Sequence, residues 1–212
     1  MKKTIWQPVV MGIVFGLLAG ISITAGLSFV ISNTLATSLI GFHVVIFLLS
    51  AAFGGPLAGF ITPAISVIVI VLFGSPEYKE ILSRPNLFWT NMLVPGMVMA
   101  LAGFAYRFVF DRVKMPSRLL PWAGIVITYY VIEPPIILSL QYYFGGDTFA
   151  TLPSAILSNY QTYIPQVLFD IFVTSLVFIA LPSSFAHPLW YESRRVFDNS
   201  NEVQNKWKEG AQ

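Results

Sequence analysis

The repetition of long apolar runs, each with at most one charged residue, limits how this chain can fold more than any other feature. Six such runs cover residues 9–32, 37–53, 56–74, 89–110, 119–144 and 164–181. A helix of about 20 apolar residues is needed to cross about 30 Å of hydrocarbon, and runs of that length have few other interpretations. With 56% hydrophobic and 10% charged residues, the chain also has more apolar surface than one soluble core could bury. The sequence therefore predicts an all-α, polytopic bundle of six transmembrane helices in a lipid bilayer.

Two of the segments that border these runs carry further information. The second and third runs meet at the short segment Gly54, Gly55 and Pro56. Because this segment is so short, it predicts a tight hairpin of two helices. Lys2 and Lys3 precede the first run, as in a signal peptide. That run extends over about 24 residues and has no convincing cleavage site, so we interpret it as a retained first helix.

The distribution of basic residues predicts the orientation, because Lys and Arg are retained on the cytoplasmic side. With six helices and both termini cytoplasmic, only Lys79 and Arg84 lie outside. The basic residues predicted to lie inside are Lys2, Lys3, Arg107, Arg112, Lys114, Arg118, Arg194, Arg195, Lys206 and Lys208. We therefore predict a transmembrane domain over residues 1–191 of a multi-pass protein of the plasma or inner membrane. Residues 192–212 would form a polar cytoplasmic tail, to which we assign no function.

Composition and motifs argue against several classes of function. A net charge of +2 without a basic stripe argues against nucleic-acid binding. The absence of cysteine excludes disulfides, thiolate metal sites and cysteine nucleophiles. No nucleotide-binding loop, nucleophile elbow or metal-ligand spacing is present either. We therefore expect no catalytic residue, metal or cofactor, and predict that the chain is not an enzyme.

A stripe of small residues lies along the first helix. Gly12, Gly16 and Gly20 recur every fourth residue and so share one helix face. Small residues let another helix backbone approach closely in lipid. The stripe could pack within this bundle or against the helix of a partner subunit, and the sequence alone does not separate the two.

Three titratable side chains fall well inside the predicted spans: His43, Glu133 and Asp170. Each is costly in hydrocarbon, so each should face the bundle interior or a water-filled cavity. They lie at similar depth on three helices, below an outer segment that carries Trp89 and Asn91. This pattern predicts a polar cavity that opens to the outside. The alternative is that the three side chains only hydrogen-bond one another or cap helix kinks.

The two residues that follow Glu133 strengthen the case for a cavity. Pro134 and Pro135 lack backbone donors, so the fifth helix should kink or break there. Irregular backbone at membrane depth is tolerated where it lines a cavity. A simple kink that shapes packing is the other interpretation.

The layout of the chain resembles the substrate-binding S components of energy-coupling factor (ECF) vitamin transporters. Gly12, Gly16 and Gly20 stand where that family carries its small-residue motif on helix one. Residues 53–59 are similar to its Gly-Pro-rich entry to helix three, and residues 93–107, with Gly96 and Gly103, to its small-residue fourth helix. The resemblance implies six helices, a transmembrane coupling subunit that meets the helix-one motif, and separate ATPase subunits.

We therefore expect a membrane subunit that captures a small vitamin-like or heterocyclic molecule from outside for ATP-driven uptake. Glu133 and Asp170 would contact a cationic or hydrogen-bond-donating group, and His43 could share that role. Trp89 and Asn91 would stack on or orient a flat ring. Two alternatives stay open: a transmembrane sensory module or accessory subunit of a membrane complex, and a proton-driven transporter that uses both carboxylates as a relay.

Overall fold

The computed structural model of the chain describes residues 6–32, 37–113, 116–145 and 149–181. The predicted cytoplasmic tail, residues 192–212, and both termini lie outside these residues. The elements, in chain order, are α1 (Trp6–Thr24), β1 (Ser28–Ser32), β2 (Thr37–Gly41), α2 (His43–Phe73), α3 (Pro76–Ser83), α4 (Pro85–Arg112), α5 (Leu119–Gly145), a 3-10 turn (Phe149–Thr151) and α6 (Leu152–Ala180).

Within the described part of the chain, five helices are long and apolar enough to cross a membrane: α1, α2, α4, α5 and α6. In each of them, less than half of the most hydrophobic stretch is buried inside the protein. The remaining apolar side chains need a lipid solvent, so the chain is a helical membrane protein. The predicted number of six helices and the predicted side of the termini are not confirmed.

Helix α2 reverses direction at a glycine. Gly55 has φ 74° and ψ −167°, a conformation that only glycine adopts easily. The side-chain oxygens of Ser50 and Thr62 lie 2.5 Å apart, although twelve residues separate them along the chain. A straight helix would place them about 18 Å apart. The two arms of α2 therefore lie side by side as a hairpin, at the point where the two glycines and Pro56 predict one.

The first arm of α2 is short, which explains why the described residues contain five helices long enough to span a membrane and not the predicted six. It covers residues 43–53, or about 16 Å at 1.5 Å per residue, against about 30 Å of hydrocarbon. The run predicted as a second spanning helix, residues 37–53, therefore includes β2 as well as this arm.

Residues 28–32 and 37–41 pair as two antiparallel strands, which we call the β-hairpin, with Ser28 opposite Gly41 and Ser32 opposite Thr37. The prediction that residues 28–32 and 37–41 are helical was wrong. The chain leaves α1 through Gly26, whose φ of 64° stops a helix. The following residues are rich in β-branched and aromatic side chains, which favour a strand. A short apolar run of this kind cannot be distinguished from a buried helix segment by its pattern alone.

The glycine stripe of α1 packs inside the bundle, on the second arm of α2. A methyl group added to Gly16 would lie 2.5 Å from Cβ of Ile65 and 2.8 Å from the carbonyl oxygen of Thr62. Gly12 and Gly20 meet α2 in the same way, at Ile61 and Val69. All three glycines are buried, so this face is not available for the partner-subunit packing that the resemblance implies.

The two ends of the bundle differ. At one end, four aromatic side chains from α2, α4, α5 and α6 pack together: Phe53, Tyr106, Trp122 and Phe178. Arg107, Arg112 and Arg118 lie at this end, which we call the basic end. The β-hairpin, α3 and the 3-10 turn lie at the opposite end, which we call the hairpin end. The hairpin end is the one that the basic-residue count predicts to be outside.

Candidate ligand-binding site

Two neighbouring cavities lie between the helices toward the hairpin end. The first cavity, of about 420 Å³, lies between the start of α2, α5 and α6, and the second, of about 300 Å³, lies between α1, α2, α3, α4 and α5. Three residues line both cavities: His43, Tyr129 and Glu133. We call the two cavities together the chamber, because these shared side chains form the wall between them.

Local structure explains how the shared residues meet. His43 is the first residue of α2 and follows β2 after one intervening residue, so the hairpin places it. Tyr129, Glu133, Ile137 and Gln141 are spaced by four residues on α5 and therefore face the same side. That face lines the chamber along about three turns of the helix.

Two phenol groups interact with the carboxyl group of Glu133. The Tyr129 hydroxyl, one turn earlier on α5, interacts with it, and Tyr163 of α6 lies close enough for an electrostatic interaction. Among the described residues that line the chamber, none is lysine or arginine. The chamber therefore offers a carboxyl group without a fixed cation opposite it.

Other groups in the first cavity are polar or aromatic. Asn159, Thr162 and Gln166 of α6 face it, together with Tyr130 of α5. Half-buried Asn159 and Thr162 supply amide and hydroxyl groups, while the tyrosine rings supply apolar faces. Such a mixture suits a ligand that combines a flat ring with a donor or a positive charge.

Asp170 has a different position from the one predicted. Its side chain is fully buried and does not line either cavity. It accepts a hydrogen bond of 2.5 Å from the Tyr130 hydroxyl and one of 2.7 Å from Nε2 of Gln166. Both donors line the first cavity, so Asp170 holds two of the lining side chains in place without lining the cavity itself. This corresponds to the buried hydrogen-bonding alternative, and a direct ligand contact by Asp170 is not supported.

Gln166 joins α6 to the β-hairpin and was missed at the sequence level. Its Oε1 accepts a hydrogen bond of 2.8 Å from the backbone N–H of Gly41, and its Nε2 donates one of 3.0 Å to the carbonyl of the same residue. The side-chain amide thus pairs with Gly41 as a neighbouring strand would. The only sequence signal was its spacing of four residues from Asp170 on α6.

The two prolines of α5 do not interrupt the helix, which is continuous over Leu119–Gly145. The predicted break is therefore absent. Pro135 has no N–H to donate to the carbonyl of Val131, four residues earlier. The hydroxyl of Tyr160 on α6 donates to that carbonyl at 2.9 Å instead. A side chain from the neighbouring helix thus satisfies the backbone oxygen that the proline leaves free.

The two residues predicted to handle a flat ring have separate positions. Asn91 lines the second cavity, and its Nδ2 donates to the carbonyl of Leu87 at 2.8 Å. Trp89 is 52% exposed, packs edge-on against Phe88 and lines neither cavity. The structure therefore brings His43, Glu133 and Asn91 to the chamber, but not Trp89.

Comparisons with known proteins provide no relative for this geometry: no protein-family model, no curated protein and no solved structure matches the chain. Among the described residues, no cluster of three or more His, Cys, Asp or Glu side chains could hold a metal ion. The arrangement of the chamber itself is therefore the basis for a functional interpretation.

Proposed function

We propose that this chain is a substrate-binding membrane subunit that captures a small cationic or hydrogen-bond-donating molecule in the chamber. Its uptake would be driven by ATP hydrolysis in partner subunits, through a transmembrane coupling subunit. The observation that carries the proposal is the position of Glu133 and His43, which line the same two cavities. None of the residues that the structure describes in the lining of these cavities is lysine or arginine.

The cost of a carboxylate in a membrane supports this proposal. An ionisable residue in a spanning helix is expensive unless it is paired or reaches water, and it is commonly functional. Asp170 has its cost offset by two hydrogen bonds in the protein. Glu133 reaches the cavities with phenols as neighbours, so a ligand that brings a positive charge or N–H donors would complete its surroundings.

Size and chemistry together limit the ligand class. Cavities of about 420 and 300 Å³ lie within the usual range of about 300–1,000 Å³ for small-molecule sites. Aromatic faces from Tyr129, Tyr130, Tyr163 and Phe47 surround the space near Glu133. Cations bind favourably over such rings, by about 0.5–2 kcal/mol. A heterocycle of one or two rings with a cationic or amide-like group fits these properties.

The proposed direction of transport follows from the basic-residue distribution. The chamber lies toward the hairpin end, which carries the exposed Arg84, while the exposed Arg112 lies at the opposite end. Ligand would enter from the outer side. Because the sequence has no nucleotide-binding loop, ATP hydrolysis is assigned to partners.

An isosteric series tests the binding site. Purified protein in mild detergent is titrated with benzamidinium, benzamide and benzoate, which share one shape but carry charges of +1, 0 and −1. We expect binding in that order, and we expect Glu133→Gln to remove the preference for benzamidinium over benzamide. Leu168→Gln, on the lipid-facing side of α6, is the control that adds the same amide outside the chamber. Tightest binding of benzoate, or a preference unchanged in Glu133→Gln, would refute a site built around this carboxyl group.

Affinity purification from cells, followed by mass spectrometry of proteins and small molecules, tests the transport role. Co-purification of an ATPase and a coupling membrane subunit is expected. Co-purification of signalling proteins or respiratory subunits, with no ATPase, would favour the sensory or accessory alternative instead.

A further inference from the structure

A third cavity lies outside the chamber, in the groove between α4 and α5. Its volume is about 430 Å³, and its lining is mostly apolar and includes the small residues Ala102, Ala105 and Gly124. A Cβ added to Gly124 would meet nothing within 4 Å. The hydroxyl of Thr128 donates its hydrogen to the carbonyl oxygen of Gly124, at 2.7 Å, so it has no hydrogen left to donate to a ligand.

The groove opens to the surface that faces lipid. Leu101 on its α4 side is 60% exposed and Ile132 on its α5 side is 37% exposed. In a membrane, an apolar depression of this kind is filled by an acyl chain unless a protein helix covers it. The groove is separate from the chamber, although the ring of Tyr129 borders both.

Two arginines lie at the basic end, beyond the last residues that line the groove. Arg112 lies seven residues after Ala105, which is two helical turns, and therefore on the same face of α4. Arg118 lies in the turn that leads into α5, and its side chain interacts with the buried Tyr106 of α4. Arg112 is exposed, and the guanidinium of Arg118 lies 4.0 Å from the ring centre of Phe110. An apolar groove thus ends where cationic groups lie at the membrane boundary.

We propose that the α4–α5 groove binds an anionic phospholipid, with one acyl chain in the groove and the headgroup phosphate at Arg112. The charge complementarity selects an anionic headgroup, and basic pockets between transmembrane helices bind such lipids elsewhere. Nη2 and Nε of Arg118 donate to the carbonyls of Phe110 and Val113, at 3.2 and 2.9 Å, which holds the guanidinium at the end of α4. The site is independent of the proposed transport function.

Native mass spectrometry of the full chain tests the proposal with dioleoyl phosphatidylglycerol, dioleoyl phosphatidylcholine and glycerol 3-phosphate. We expect phosphatidylglycerol to bind about fivefold more tightly than phosphatidylcholine, which corresponds to about 1 kcal/mol for one basic residue near the surface. Arg112→Gln should remove most of that preference, whereas Arg84→Gln at the hairpin end should keep it. Equal binding of the two lipids, or equal effects of the two variants, would overturn the proposed headgroup site.

The acyl chain is tested by filling the groove. Gly124→Leu should reduce phosphatidylglycerol binding at least fivefold, and Gly124→Ala should reduce it less. Ala180→Leu, exposed near the basic end of α6, is the matched control that should leave binding unchanged. Unchanged lipid binding in Gly124→Leu would refute the groove as the acyl site. Two other results would also overturn the proposal: binding of glycerol 3-phosphate as tight as the lipid, or a protein dimer that Gly124→Leu dissociates while lipid binding stays constant.

Discussion

Replacing Asp170 with alanine should destabilise the protein strongly, because two buried donors lose their acceptor. Asp170 is fully buried and accepts hydrogen bonds from the Tyr130 hydroxyl and from Gln166. The bond from Tyr130 joins two helices, and such bonds in membrane proteins contribute about 0.6–1.7 kcal/mol each, whereas a buried donor left unpaired costs about 1–3 kcal/mol. For two donors, we expect a loss of about 2–4 kcal/mol in the free energy of unfolding.

The assay is reversible unfolding in mixed micelles of increasing sodium dodecyl sulfate, followed by circular dichroism. Asp170→Asn keeps the volume and one carbonyl acceptor, so its loss of stability should be smaller than that of the alanine variant. Glu133→Gln is the matched control: its side chain faces the chamber, so its unfolding free energy should change by only about 0.5 kcal/mol.

The same variants separate a supporting residue from a ligand-binding one. We expect Asp170→Asn to keep the preference for benzamidinium over benzamide, and Glu133→Gln to lose it at nearly unchanged stability. If Asp170→Ala unfolds at the same detergent fraction as the unmodified chain, its hydrogen bonds do not stabilise the wall. If Asp170→Asn then removes the charge preference, Asp170 contacts the ligand and the assignment is wrong.

Three further predictions concern the bundle. Gly16→Leu should lower stability by about 1–3 kcal/mol through overpacking against α2, whereas a leucine at an exposed position of α1 should not, as measured by the same unfolding assay. Tyr160→Phe should lower the free energy of unfolding by about 0.5–1.5 kcal/mol. The loss should be smaller in a Pro135→Ala background, because the backbone N–H of residue 135 can then donate to the Val131 carbonyl; equal losses in a double-mutant cycle would contradict this. Cysteines placed at Ser50 and Thr62 should form a disulfide on mild oxidation, detected as lost maleimide labelling after the protein is unfolded in sodium dodecyl sulfate. Full labelling after that unfolding would contradict the α2 hairpin.

Much of the membrane architecture could be predicted from local pattern. Long apolar runs with few charges predict spanning helices, because the thickness of the hydrocarbon core sets the length of such a helix. Gly55 could be located because a reversal of two packed helices needs a conformation that few other residues adopt. The glycine stripe on α1 correctly predicts close helix packing, but the sequence could not show that the partner helix belongs to the same chain.

The β-hairpin could not be predicted in this way. Hydropathy over a window of about 20 residues does not distinguish a strand from a helix when both are apolar. The strands depend on long-range contacts, above all the pair of hydrogen bonds between Gly41 and Gln166, which are 125 residues apart. No local spacing encodes that contact.

The candidate site was predictable only in part. The cost of charge in lipid identified His43, Glu133 and Asp170, because that rule depends on composition alone. It could not decide which carboxyl group faces a cavity and which is satisfied by neighbours. Asp170 is satisfied because Tyr130 and Gln166 donate hydrogen bonds to it. That these residues meet Asp170 becomes known only once the packing of the helices is known.

The central claim is that Glu133 and His43 face a hollow that water and small ligands reach from the hairpin end. Because the chain has no cysteine, a single Thr162→Cys variant in sealed vesicles of known orientation can be labelled with a charged methanethiosulfonate reagent. Cysteines at Leu168, which faces lipid, and at fully buried Thr174 are the controls. We predict fast labelling at position 162 from the hairpin side, slowed by benzamidinium, and little labelling at the two controls. Labelling at position 162 no faster than at position 174 would contradict the account.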